Sequence, residues 1–429
     1  MLKILFPVSA LCSLSIYIFI NIKYFGDGIV TSILILYFCL WFVSLFFNIE
    51  ENLRRINQIK YSLLITILFL VYVTLRYLFD SNSGDLFQFT FGTTSGLILA
   101  FILGLSLSVI VSHLYKYYDS LSKSFISVKG FLIIFFLLTL YLTIDAFLYI
   151  ESSVLEEVFL TSALATDYQR PGNLLLMSSM LQTALASMIL IREKSKLITF
   201  LLYLQLSINI VLSQLFGSNN AAVSISIILV IFFVYSHLIS RNNHQFNLSL
   251  RSLIIGKLSK KIIVQASKLV SIIFILLYFV INFYNIKLPN FRISSTVDDS
   301  IKARLNIFNN DFMVQFMYSP MFGNMEVHKI TDVQNYPHSL LSIVTHLGIT
   351  GFLFFLLVLF YVYHDIYRID NNKSDIYTNY NYSLLRFFIV SAMIVITMIT
   401  TFFVWMPFWF CMGLFGVSLY CNMEKPYAN

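Results

Sequence analysis

Long apolar runs alternate with short polar stretches along almost the whole chain, and the apolar runs carry very few charges. A helix that crosses the roughly 30 Å hydrocarbon layer of a bilayer needs about 20 mostly apolar residues. Twelve runs are candidates, at approximately 2–22, 29–49, 62–79, 89–113, 131–150, 174–191, 197–216, 221–240, 264–285, 338–363, 385–404 and 408–422. The abundant Ile, Phe and Tyr would suit strands, but the runs lack period-2 alternation and are too long for barrel strands. The expected fold is all-α: a polytopic membrane protein of about twelve transmembrane helices, forming a single membrane domain over 1–429.

Composition agrees with the pattern. With 58% hydrophobic residues, 11% charged residues and a mean hydropathy of +0.81, the 429-residue chain has more apolar surface than a soluble core of its length could hide. The opening "MLKILFPVSALCSLSIYIFINIKYF" has an apolar run too long for a signal peptide and no Ala-x-Ala-like cleavage site, so it is read as a retained first helix.

Charge gives the orientation, because loops rich in Lys and Arg stay in the cytoplasm. The two termini and the stretches "ENLRRINQIK", "KYYDSLSKSFISVK", "REKSK", "RNNHQFNLSLRSLIIGKLSKK" and Arg368 to Arg386 hold 19 of the 28 basic residues. The alternate loops hold 7, and Arg76 and Lys268 lie inside or at the edge of spans. Both termini are therefore expected in the cytoplasm. The net charge of +7 follows from this topology and implies no nucleic-acid partner.

On this topology only two outside loops are large, at about 151–173 and 286–337. The first, "ESSVLEEVFLTSALATDYQRPGN", begins acidic and carries one cation, Arg170, at a helix-initiating Pro-Gly-Asn. In the second, "IKARLNIFNNDFMVQFMYSP" (301–320) is expected to form a short amphipathic helix, with Ile301, Leu305, Phe308, Phe312 and Phe316 on one face and Ser-Pro ending it. Such a helix would lie on the bilayer surface and hold Arg304 at headgroup height. The next polar stretch, "YPHS", delivers His338 to the start of a span.

Cys12, Cys39, Cys411 and Cys421 all fall in predicted spans and show no metal-ligand spacing, so neither a disulfide nor a metal is expected. P-loop, Rossmann, HExxH and GxSxG motifs are absent, and no cofactor is predicted. No internal repeat and no matching pair of broken helices appears, which argues against a secondary transporter.

The order "ARLNIF…SPMFGN…YPHSLLSIVTHLGITGFLFF" resembles the signature of the O-antigen polymerase and O-antigen ligase superfamily. The matching positions are Arg304, Pro320, Gly323, His338 with Ser339, and Gly348 with Gly351, and "RPGN" at 170–173 is similar to the family's loop-three arginine and helix start. Many ligase-type members carry a Ser-Arg pair where this chain has "GSNNAAV", with Asn219 in the arginine's place, and "YPHS" is closer to the polymerase branch, known as Wzy-type.

The resemblance implies a metal-independent glycosyltransferase in a bacterial inner membrane, with its active site on the periplasmic side. It would polymerise undecaprenyl-diphosphate-linked oligosaccharide repeat units of O-antigen or a capsule-like glycan, with a chain-length regulator protein as a further partner beside the lipid bilayer. Arg170, Arg304 and Arg76 would bind diphosphate, because a guanidinium fork stays charged and meets phosphate oxygens bidentately. His338 would be the general base for the acceptor hydroxyl, with Arg304 stabilising the leaving group.

Plainer roles stay open beside these. His338 could cap a helix, Arg304 could snorkel or pair with Asp298 or Asp299, and Arg170 could balance Asp167 or Glu157. Arg76 could pair with Asp145 or face a cavity. His328 and His346 are weaker candidates, and Trp405 and Trp409 suit interface belts. A ligase acting on lipid A core and a flippase of lipid-linked sugars are the alternative functions.

Overall fold

The computed structural model describes residues 11, 56–57, 59–80, 84–116, 128–153, 170–193, 195–215, 218–241, 310–327, 341–370, 376–397 and 405–417. The spans expected at 29–49 and 264–285, and all but Leu11 of that at 2–22, lie outside the described residues, as do His338, Arg304, His328 and 154–169.

The described residues are helices and turns, with no strand among them. In chain order the helices are α1 (Lys60–Asp80), α2 (Gly84–Lys116), α3 (Val128–Ser153), α4 (Arg170–Glu193), α5 (Lys196–Leu215), α6 (Asn219–Arg241), α7 (Phe312–Tyr318), α8 (Leu341–Asp370), α9 (Ile376–Thr397) and α10 (Met406–Cys411). A π turn, Met412–Gly416, continues α10. Six helices among the described residues are long and apolar enough to cross a membrane, so the chain is a multi-pass membrane protein.

One expected span starts earlier. The span predicted at 385–404 begins at Ile376 and is described as helix to Thr397, so Arg386, expected at the edge of a loop, lies inside the bundle. Its Nε donates to the Phe415 carbonyl (2.7 Å) and its Nη2 to the Gly416 carbonyl (2.9 Å). A cation therefore meets the carbonyl end of the α10 and π-turn segment, where helix dipoles favour positive charge. The span predicted at 408–422 is described as α10 and this π turn, up to Val417.

Helix α4 is the hub, packing against α2, α3, α5, α6, α9 and α10. Its sequence explains why. Small and uncharged polar residues surround the helix, and small surfaces let neighbouring helices approach closely where lipid offers no hydrophobic drive. One of its polar groups, Ser179, is partnered across helices, where Asn209 of α5 donates to its Oγ (2.9 Å), and Gln205 of α5 donates to Thr143 Oγ1 of α3 (2.7 Å) and to Asn209 Oδ1 (3.0 Å). These bonds tie α3, α4 and α5 together inside the apolar core.

The aromatics expected at the interface are instead core. Trp409 is fully buried and stacks on Phe69, centroids 5.7 Å apart, while Trp405 is 4% exposed. Both fill the seam where α10 inserts between α2, α4 and α9.

Cross-helix contacts fix which helix ends lie together. Tyr72 bonds the Leu347 carbonyl and Tyr61 stacks on Tyr361, so α1 and α8 run antiparallel. Gly96 faces Met406 and Gly104 faces Phe410, so α2 and α10 run parallel. Trp405 bonds Asn173, and Gly172 sits against Ser218. One end of the bundle therefore gathers the C-terminus of α1, the N-termini of α2, α4, α6 and α8, and Trp405.

Candidate functional site

The site builds outward from a break in α8. Gly348 has φ 67° and ψ −172°, which splits the helix about two turns below its described start. A break inside a membrane helix strands backbone groups that water cannot reach, and each must find a partner in the protein. The segment 319–327 supplies them. Ile349 N–H donates to the Pro320 carbonyl (2.9 Å) and Thr350 N–H to the Met321 carbonyl (3.1 Å), while the Thr345 carbonyl accepts from Asn324 N–H (3.1 Å). The Tyr72 hydroxyl donates to the Leu347 carbonyl (3.2 Å).

The fit requires two glycines. Gly323 has φ 66°, and a Cβ there would collide with the backbone of His346, Leu347 and Gly348. A Cβ on Gly348 would collide with the backbone of Met321 and Phe322. Each glycine supplies both a left-handed conformation and the absence of a side chain at a backbone crossing. The sequence-matched motifs "SPMFGN" and "THLGITG" are thus one interlocked unit.

Arg76 bolts this unit to α1. Its Nη2 meets both carboxylate oxygens of Asp80 (2.9 and 2.8 Å) and donates to the Gly323 carbonyl (2.7 Å). Asp80 Oδ2 also accepts from Met325 N–H (2.9 Å). The expected partner Asp145 gives way to Asp80, four residues along the same helix, because that spacing stacks the two side chains on one face. Arg76 is 20% exposed and Asp80 9%, so the pair sits at the edge of the protein interior. Asp80 was missed in the sequence, although its i, i+4 spacing from Arg76 was the available signal.

Of the other predicted residues, Arg170 and His346 are among the described ones. Arg170 is the first residue of α4, whose start packs against the start of α6 through Gly172 and Ser218 and is pinned by Trp405 Nε1 donating to Asn173 Oδ1 (3.0 Å). The Pro-Gly-Asn stretch therefore stands at the same end of the bundle as Arg76. His346 is buried, with Nδ1 against the Ser342 carbonyl (2.8 Å) and Thr345 Oγ1 (3.0 Å), the bonding of a packed helix residue. Helix α7 lies within the expected 301–320, but the face of Phe312 and Phe316, ring centroids 6.1 Å apart, is half-buried, and the opposite face is exposed.

A shallow apolar groove of about 340 Å³ opens between α5 and α6, lined by Ile210, Gln214, Val223 and Val230 among others. It carries none of the predicted site residues. Among the described residues no cluster of His, Cys, Asp and Glu could hold a metal. No protein-family model, no curated protein and no solved structure matches this chain.

Proposed function

We propose that the chain is a lipid-linked glycan polymerase, transferring a growing sugar chain from undecaprenyl diphosphate to the sugar end of another lipid-linked repeat unit on the periplasmic face of a bacterial inner membrane. What supports the reading is the interlock of "SPMFGN" with "THLGITG" beside Arg76. These stretches carry the family resemblance, and they pack together although the chain between them is long enough to let them separate.

The chemistry assigns each residue a task. The acceptor hydroxyl oxygen forms a bond to the donor's anomeric carbon, the bond from that carbon to the phosphate oxygen breaks, and the hydroxyl proton passes to His338. Undecaprenyl diphosphate leaves with its charge held by Arg304 and Arg170. Arg76, with Asp80, keeps residues 323–325, which lie between Arg304 and His338 in the sequence, seated against α1.

The test is His338→Ala in cells that make the glycan, with protein level and membrane insertion checked. A general base contributes about 10²- to 10⁴-fold, so chain growth should stop. Surface lipid should then carry a single repeat unit on its core. An unchanged ladder would make His338 a helix cap; bare core with polymer retained on its carrier would identify a ligase.

A further inference from the structure

The exposed side of the 310–327 segment is apolar. Met313, Val314, Met317 and Tyr318 on α7, followed by Met321 and Phe322, recur at the helical spacing and form one stripe; Met317 is 65% exposed and Phe322 55%. Amphipathicity accounts for the half-buried Phe312 and Phe316 on the inner side but not for this second apolar face, which a segment standing in water would carry at a cost.

The depth of the segment follows from its bonds. It is joined to α8 at Thr345, Ile349 and Thr350, around the break at Gly348. Gly348 lies six residues inside the apolar span Ser342–Ile366, which is about 9 Å along a helix axis. Centring that 25-residue span on a hydrocarbon layer of about 30 Å leaves the break about 5 Å within the layer. Exposed apolar residues also stand near the bonds that hold the segment: Ile349 and Leu353 on α8, and Leu75, Leu78 and Phe79 around the Arg76–Asp80 pair on α1, both helices long and apolar enough to span a membrane.

We propose that residues 310–327 form a re-entrant element, seated in the acyl-chain layer of one leaflet, with the stripe from Met313 to Phe322 in direct contact with lipid chains. Its polar backbone is turned inward onto the α8 break and the Arg76–Asp80 pair, which satisfies the rule that irregular backbone at membrane depth must be covered by protein. The proposal is independent of the glycan chemistry above, since it rests only on burial, hydrogen bonding and the membrane-spanning character of α1 and α8.

The test uses the full chain with its four native cysteines replaced, carrying Met317→Cys, Phe322→Cys or Leu353→Cys, each labelled with a nitroxide and reconstituted in phosphatidylcholine and phosphatidylglycerol vesicles. Leu353 is the reference for a lipid-facing helix position. Labels at 317 and 322 should relax as strongly with dissolved oxygen as the label at 353, and respond weakly to an aqueous nickel chelate. Fluorescent labels at the same sites should be quenched more by acyl chains carrying a nitroxide near the headgroup than by those carrying it near the chain end. Strong nickel response would overturn the proposal by putting the stripe in water. Protection from both reagents would overturn it by showing protein over the stripe, and disulfide formation between copies at 317 or 322 would identify that cover as a second copy of the chain.

Discussion

Arg76 and Gly323, 247 positions apart in the chain, are joined by a 2.7 Å hydrogen bond from the guanidinium to the carbonyl. The same guanidinium holds Asp80, and Asp80 in turn receives Met325 N–H, so two backbone groups of one distant segment share one pair of charges on α1.

That sharing predicts strong coupling between Arg76 and Asp80. Removing either partner leaves the other charged, partly buried and short of hydrogen bonds, and single substitutions to Ala should each destabilise the purified protein by roughly 2–3 kcal/mol. The double substitution should cost less than the sum, with a coupling in the range of about 0.5–3 kcal/mol. Thermal melts of the four proteins in one detergent measure it, and additive losses would show that the pair does not act as a unit.

Gly323→Ala and Gly348→Ala test the interlock. A side chain at positive φ costs about 1–2 kcal/mol by itself, and each added Cβ also meets backbone that has no room to retreat. Both variants should melt lower than the parent, and segment 319–327 should be cut sooner in limited proteolysis. Gly96→Ala is the control: there the added Cβ would meet the far end of the Met406 side chain, which can swing aside, so a milder loss is expected.

The contrast between Arg76 and Arg386 shows what could be read in the sequence. Spans are set by local apolar content, so α1 to α6 fall where the runs predicted them, within a few residues. Partners are set by packing. An arginine among apolar residues announces that it needs a partner, but only the i, i+4 neighbour Asp80 is visible locally. The carbonyls that Arg386 bonds belong to a segment whose α10 and π-turn geometry brings Phe415 and Gly416 to it. The same limit applies to Trp405 and Trp409, whose composition suits a membrane interface while their neighbours make them core. For the interlock, the sequence order of Pro320, Gly323 and Gly348 was readable, whereas their mutual contact was not.

Arg386 should therefore be a stability residue. Replacing it with Met keeps its bulk but withdraws the donors from the Phe415 and Gly416 carbonyls, and a buried acceptor left unpaired costs about 1–3 kcal/mol. Arg386→Met should lower the melting temperature while Arg386→Lys restores only part of it, because one ammonium cannot reproduce the two-pronged contact. A melt equal to that of the parent would show that the carbonyls find other donors.

The last prediction separates diphosphate binding from structural roles for Arg304 and Arg170. In the proposed reaction each guanidinium meets negative charge that grows as the carrier leaves, so its effect should be on rate more than on stability. Losing one such contact in a site shielded from water costs on the order of 2–4 kcal/mol in the transition state, or roughly 30- to 1000-fold in rate. Arg304→Ala and Arg170→Ala should therefore melt like the parent yet lose long-chain glycan, the reverse of the pattern expected for Arg386→Met. Lysine at either position should rescue incompletely, since a point charge holds phosphate without the bidentate geometry. If Arg304→Ala keeps a normal chain-length ladder at a normal protein level, the diphosphate role is wrong, and the arginine serves only to anchor its loop at the membrane surface.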